Sequence, residues 1–231
     1  MMPIRPLIFA AFIAFLAPGH AQTIRWFEAA PSALLFVGHA QPTCSFEEGV
    51  HRLEDRAGQR VAMAMNGGMF HADGAPVGLL VEDGTERFPL NRESGKRGNF
   101  FLLPNGVFGQ DAQGAFRVVT TEQAEEVVWQ EATQSGPMLL IDGQPHPVFN
   151  EASKNVNIRN GVGVRSDGSV VFGMSIEPIT FHAFATAFAD QGCQQALYLD
   201  GAISRMHVRK DGEPEAGGVF SVMIAVFDSA Q

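Results

Sequence analysis

Cys193-Gln-Gln-Ala-Leu-Tyr-Leu-Asp-Gly-Ala-Ile-Ser-Arg-Met-His207 is the stretch from which the fold is read. Ala196 to Leu199 is a short apolar run containing an aromatic, with Gly192 before it and Asp200-Gly201 after it. A run of that length between turn signals predicts a buried strand. A carboxylate at the end of such a strand sits where the sheet opens to solvent, and the glycine after it lets the backbone turn away sharply. Asp-Gly is also a common turn dipeptide, so a plain turn stands beside the functional reading.

Working outward, Thr180 caps a predicted helix from Phe181 to about Gln191, ended by Gly192, with Phe184, Ala185 and Phe188 on its apolar face and His182 in its first turn. Phe220 to Phe227 predicts a closing strand. Upstream, Arg159-Asn160-Gly161 leads into strands at Val162 to Val164 and Val170 to Met174, joined at Asp167-Gly168. Ser45 caps a helix from Phe46 to about Arg56, with Glu47 and Glu48 in the first turn and Gly58 ending it. Val61 to Met65 predicts a buried strand running into Asn66-Gly67-Gly68. Two glycines there can bare their N–H groups to an anion, although a hairpin built on Asn-Gly is the plain alternative. The basic stretch Asn91 to Asn99, with Arg92, Lys96 and Arg97, can hold an anion or be a solvated turn. Phe100 to Leu103 predicts a strand, and Glu122 to Trp129 a short helix. Asp142-Gly143 closes a hairpin after the strand that follows Ser135-Gly136. The expected fold class is α+β: a single mixed, largely antiparallel β-sheet domain with about three helices packed on it.

The 231 residues are 45% hydrophobic, enough for one sizeable core. A formal charge of -9 with no Lys/Arg cluster argues against nucleic acid as a partner. At the start, Arg5, the apolar run Leu7 to Leu16 and Pro18-Gly19-His20-Ala21 have the order of a secretory signal, giving a signal peptide over 1–21 and one domain over 22–231. The apolar run is too short to span a bilayer comfortably, so no stable membrane insertion is expected after cleavage, and the expected location is periplasmic or secreted. In an oxidising compartment Cys44 and Cys193 either form one disulfide or remain two buried thiols. Nothing in the sequence sets an oligomeric state.

Five motifs occur in order: Ala64-Met-Asn-Gly-Gly-Met-Phe70, Pro76-Val-Gly78, Ser135-Gly-Pro-Met-Leu-Leu-Ile-Asp-Gly143, Arg159-Asn-Gly-Val-Gly163 and Leu197-Tyr-Leu-Asp-Gly201. Together they resemble the phosphodiester glycosidase domain family, over about Val61 to Val208. The resemblance implies hydrolysis of a glycosyl-1-phosphodiester at the glycosidic carbon, without a cofactor, on a glycosyl phosphodiester or envelope glycan. An anionic substrate calls for backbone N–H groups and Arg, and an oxocarbenium-like transition state for a carboxylate. The candidates are Asp200 as the catalytic carboxylate, with Glu177 and His182 for proton transfer. Asn66, Gly67, Gly68, Asn99, Ser135, Gly136, Arg159, Gly201 and Ser204 are the candidates for substrate contact. Asn66, Arg159 and Asp200 are expected to converge. Many family members read Leu-Asp-Gly-Gly-Gly-Ser where this chain reads Leu199-Asp200-Gly201-Ala202-Ile203-Ser204, which removes backbone freedom at two positions. Two other readings stay open. One is a non-catalytic periplasmic glycan- or anion-binding protein. The other is a metal-dependent phosphodiesterase cutting the P–O bond, with Asp200, Glu177 and His182 around the ion, although no spacing signals a metal site.

Overall fold

The computed structural model describes residues 24–228, so the signal-peptide expectation lies outside the described residues. In chain order the strands are β1 (Ile24–Ala29), β2 (Leu34–Cys44), β3 (Met63–Asn66), β4 (Leu80–Glu82), β5 (Thr85–Phe88), β6 (Gly106–Asp111), β7 (Phe116–Thr120), β8 (Trp129–Ser135), β9 (Met138–Ile141), β10 (Gln144–Pro145), β11 (Asn160–Arg165), β12 (Val170–Ser175), β13 (Cys193–Tyr198), β14 (Met206–Val208) and β15 (Phe220–Phe227). Helix α1 (Phe46–Ala57) follows β2, and α2 (Phe181–Asp190) follows β12.

The strands make three sheets where the sequence predicted one: β1-β12-β11-β13-β9-β10, β14-β3-β15-β2 and β5-β4-β8-β6-β7. All their strand pairs are antiparallel. The strand alternation shows why one sheet does not suffice. Leu197 and Leu199 point into a core shared by all three sheets, with Met63, Met65, Phe108, Phe172 and Ile224. Ala196 and Tyr198 point the other way, against Phe184 and Phe188 of α2. β15 divides the same way: Val222, Ile224 and Val226 enter the shared core, while Met223, Ala225 and Phe227 pack under α1 with Phe46, Val50 and Leu53. A continuous apolar run is a strand with both faces covered.

Among the described residues there are two α-helices, not about three. The predicted helix from Glu122 is a 3-10 turn (Gln123–Glu126), after which β8 begins at Trp129. The predicted strand at Phe100 is likewise a 3-10 turn (Asn99–Phe101). Both α-helices carry the predicted caps. Ser45 and Glu48 form a capping box on α1, which ends at Gly58 with φ 67. Thr180 Oγ1 accepts the Ala183 N–H at 3.1 Å on α2. Thr180→Ala is expected to cost about 1 kcal/mol, read as a lower urea midpoint at unchanged slope. An unchanged midpoint would show that water replaces the cap.

Cys44 and Cys193 are both free and buried, one closing β2 and the other opening β13 in a different sheet. Burial pushes the Cys193 thiol up to about 11 and the Cys44 thiol in the same direction.

Candidate active site

Strand ends from all three sheets meet at the turn that follows β13. Leu199 donates its N–H to the Asn160 carbonyl at 3.1 Å, from the start of β11. Ser135, at the end of β8, donates its Oγ proton to the Leu199 carbonyl at 3.0 Å. Asn66, at the end of β3, donates from Nδ2 to the Asp200 carbonyl at 2.9 Å. Its Oδ1 accepts the Asn160 amide at 3.0 Å and the Arg205 N–H at 2.8 Å. Asn66, Ser135 and Asn160 are buried, and the Ser135–Leu199 and Asn160–Asn66 hydrogen bonds are made away from competing water. Two side chains and one backbone carbonyl, from three sheets, therefore hold one turn.

Asp200 is half-buried on that turn. Its Oδ1 accepts the Ala202 N–H at 3.0 Å, and its other carboxylate oxygen has no hydrogen-bond partner among the described residues. No described cation pairs with it. Burial pushes its pKa up, and the Ala202 N–H offsets that only in part. A carboxyl with one oxygen anchored, one open and its acidity suppressed is the arrangement expected of an acid or nucleophile rather than a surface charge. Gly201 has to be glycine: an added Cβ would lie 1.9 Å from the Tyr198 phenol oxygen. Ala202 and Ile203 stand where many family members have glycine. Neither has a positive φ here, and Ile203 packs on the core under α1, so the turn does not use the freedom those glycines would allow.

Arg159 lies in the next layer. It is 1% exposed and pairs with no carboxylate among the described residues. Its guanidinium stacks 3.6 Å from the Phe181 ring centre, Nε donates to the Ile179 carbonyl at 2.8 Å, and Nη2 donates to the Asn155 carbonyl at 3.2 Å. It also faces Tyr198, which packs edge-on against Phe181. A lone Arg at the mouth of a strand commonly forms a surface ion pair; this one does not among the described residues. Asn66 meets the Asp200 carbonyl directly, while the Arg159 guanidinium lies one layer away, against the Phe181 and Tyr198 rings.

Other candidates fall elsewhere. The Gly67 and Gly68 N–H groups are not bared; they donate to the Val222 carbonyl at 2.8 Å and to Thr133 Oγ1 at 3.2 Å. Gly68 packs so tightly on β8 that a Cβ would meet the Gln134 carbonyl at 2.3 Å. Gly136 is buried against Asn105 and the Phe100 carbonyl and lines no opening. Ser204 Oγ stays at the turn, 3.4 Å from both Asn160 Oδ1 and the Asp200 carbonyl. Asn99 and Glu177 are exposed, and His182 is partly buried in the first turn of α2. Among the described residues no three His, Cys, Asp or Glu side chains come together as metal ligands, so Asp200, Glu177 and His182 do not form the cluster that P–O cleavage at a metal would need. Asn160 and Tyr198 were missed. Asn160 follows an Arg that drew the attention, and Tyr198 sits inside an apolar run where aromatics usually fill space.

A family model described as phosphodiester glycosidase matches residues 59–225. The chain is 40% identical over 170 residues to the uncharacterized protein YigE of Escherichia coli strain K12, covering 72% of this chain and 66% of that protein, just under two thirds of its length. Its structure is similar to the catalytic domain of zebrafish N-acetylglucosamine-1-phosphodiester alpha-N-acetylglucosaminidase, described as auto-inhibited by its pro-peptide. That match has a TM-score of 0.58 and 15% identity, over 89% of this chain and 83% of that one. A hypothetical protein from Synechocystis matches with a TM-score of 0.57 and 14% identity, over 89% of this chain and 59% of that one. At such identities the structural likeness shows the fold.

Proposed function

The chain belongs to the phosphodiester glycosidase family, and from that premise we propose that it hydrolyses the sugar–phosphate glycosidic bond of a glycosyl-1-phosphodiester, releasing a free sugar and a phosphomonoester. The observation that carries this reading is the Asp200 carboxyl, half-buried, with no cation partner among the described residues and one oxygen without a hydrogen-bond partner there. As the bond from the anomeric carbon to the phosphate oxygen lengthens, positive charge builds on the sugar, and a fixed carboxylate beneath it stabilises that charge or attacks the carbon. Phosphate is already a good leaving group, so no strongly placed acid is required. Arg159 supplies a buried positive charge with no counter-ion among the described residues, which favours an anionic substrate nearby. The zebrafish enzyme, named for a phosphodiester of N-acetylglucosamine, supports the substrate class. The secretory-type order of the first 21 residues supports a reaction outside the cytoplasm, in the periplasm or secreted, on envelope or exopolysaccharide material.

The test is hydrolysis of a panel of sugar-1-phosphodiesters in ¹⁸O-labelled water. Label in the sugar is the expected result. Label in the phosphate would mean P–O cleavage, and binding without turnover would leave a glycan-binding protein. The same substrates give a pH prediction. An ionised Asp200 is needed, and burial raises its pKa, so kcat/KM is expected to fall as pH drops through a limb lying above the ordinary aspartate value of 3.8. A limb at or below that value would remove Asp200 from the role.

A further inference from the structure

Tyr198 is the only tyrosine of the chain. It ends β13 on the α2 face, two residues before Asp200, and is 2% exposed. A strand residue on that face needs only bulk, and its neighbours there are Phe and Ala. Its hydroxyl is therefore the feature to explain, because burying a phenol without partners is costly. The oxygen lies in the space that a Cβ on residue 201 would fill, and the ring carbon bearing it lies 2.9 Å from the same point. The Gly201 N–H and the Arg159 guanidinium both face that oxygen. Arg159 is immobile in turn, fixed by two backbone carbonyls and the face of Phe181, while its own N–H donates to Ser175 Oγ at 2.9 Å. Phe149 stacks on Phe181 with ring centres 5.0 Å apart, and His146 stacks on Phe149 at the same spacing. The phenol thus joins a rigid stack to the backbone just beyond Asp200.

We propose that Tyr198 and Arg159 are positioning residues for Asp200: the phenol oxygen, set by Arg159 and received by the Cβ-free space at Gly201, fixes the turn so that the carboxyl stays half-buried with one oxygen open. The proposal rests on Asp200 being the working carboxylate, but it makes a claim about the turn that is measurable without substrate. The hydrogen bonds from Asn66, Asn160 and Ser135 hold Leu199 and the Asp200 carbonyl from before the carboxylate. Beyond the Ala202 N–H on the Asp200 carboxylate and the packing of Ile203 under α1, the phenol is the side chain set closest against Gly201, where the Ile158 carbonyl would also meet an added Cβ at 2.9 Å. Losing the phenol contact lets the peptide after Asp200 rotate and brings water to the carboxyl.

The test uses the whole exported domain in four forms: wild type, Tyr198→Phe, Gly201→Ala and the double variant. Carbonyl-¹³C NMR titration of Asp200, assigned by its loss in Asp200→Asn, reads the carboxyl directly. In wild type it is expected to titrate above the usual aspartate range, and in Tyr198→Phe to move down toward it. Where hydrolysis is seen, Tyr198→Phe is expected to lower kcat by ~10- to 100-fold with KM within about twofold, the pattern of a misplaced catalytic group. Gly201→Ala is expected to be strongly destabilised alone and markedly less so in the Tyr198→Phe background, where the blocking oxygen is gone. An Asp200 titration unchanged by Tyr198→Phe would overturn the proposal whether or not any substrate is turned over. Additive losses in the double variant would overturn it too. Absence of hydrolysis with the titration shift intact would instead count against the glycosidase reading alone.

Discussion

Asp200→Asn is expected to lower kcat by at least about 10³-fold while leaving the protein as stable as wild type at pH 7, or more so. Asparagine has the same shape, and its Oδ1 still accepts the Ala202 N–H, so the turn survives. What disappears is the negative charge under the developing oxocarbenium ion; removal of one preorganised group of this kind costs on the order of 10²- to 10⁴-fold elsewhere. The stability half follows from the sign of the pKa shift. A carboxyl whose pKa is higher folded than unfolded stabilises the fold fully below its unfolded value, and loses that contribution as pH rises through the folded value. Burial raises Asp200, so at neutral pH its charge is a net cost to folding. Thermal unfolding and product assays on one preparation check both halves. A variant that is both active and less stable would mark Asp200 as an ordinary turn residue.

Asn66→Ala is expected to cost about 3 to 5 kcal/mol, the large end of single-substitution effects. It removes three hydrogen bonds from three different segments: the Arg205 N–H loses its partner, the Asp200 carbonyl keeps only the long contact from Ser204 Oγ at 3.4 Å, and the Asn160 amide keeps only the backbone carbonyl of residue 66 at 3.1 Å. Asn66 is 1% exposed, so water does not replace the amide without opening the sheet ends. Asn66→Asp keeps the acceptor but turns an oxygen toward the Asp200 carbonyl, and its cost is expected to be comparable. Urea unfolding with a two-state fit measures both. A loss under about 1 kcal/mol would mean that the three partners are already solvated and the junction is open.

The elements visible in the sequence were those whose apolar periodicity and punctuation agree. Both α-helices, with Ser45, Gly58 and Thr180 at their ends, and the apolar strands ending at Tyr198 and Phe227 were legible. β8, central in the third sheet, was not, because Trp-Gln-Glu-Ala-Thr-Gln-Ser does not look like a buried strand. Its polar side chains are buried because they bond the backbone of neighbouring segments: Glu131 accepts the Val37 and Asp83 N–H groups, Gln134 those of Leu79 and Asn91, and Thr133 that of Gly68. Such partners are distant in sequence, and no local pattern signals them. The division into three sheets was hidden for a related reason. Periodicity says that a strand has two covered faces, but not what covers each. At the candidate site, the place of Asp200 and Gly201 after an apolar run is what singles them out in the sequence. Asn66 was found as a residue but given a ligand to hold, when it holds the turn.

The order in which the strands appear along the chain has a consequence for synthesis. β15 lies between β3 and β2, pairing Met223 with both Asn66 and Gly38 and burying all eight of its residues. A ribosome releases β2, α1 and β3 long before the strand that joins them, so α1 has no completed sheet to cover until residue 227 has emerged. Pairings this distant close slowly. That sheet and the cover of α1 are therefore completed only at the end of synthesis. A chain cut short before β15 loses the middle of a sheet, not an edge.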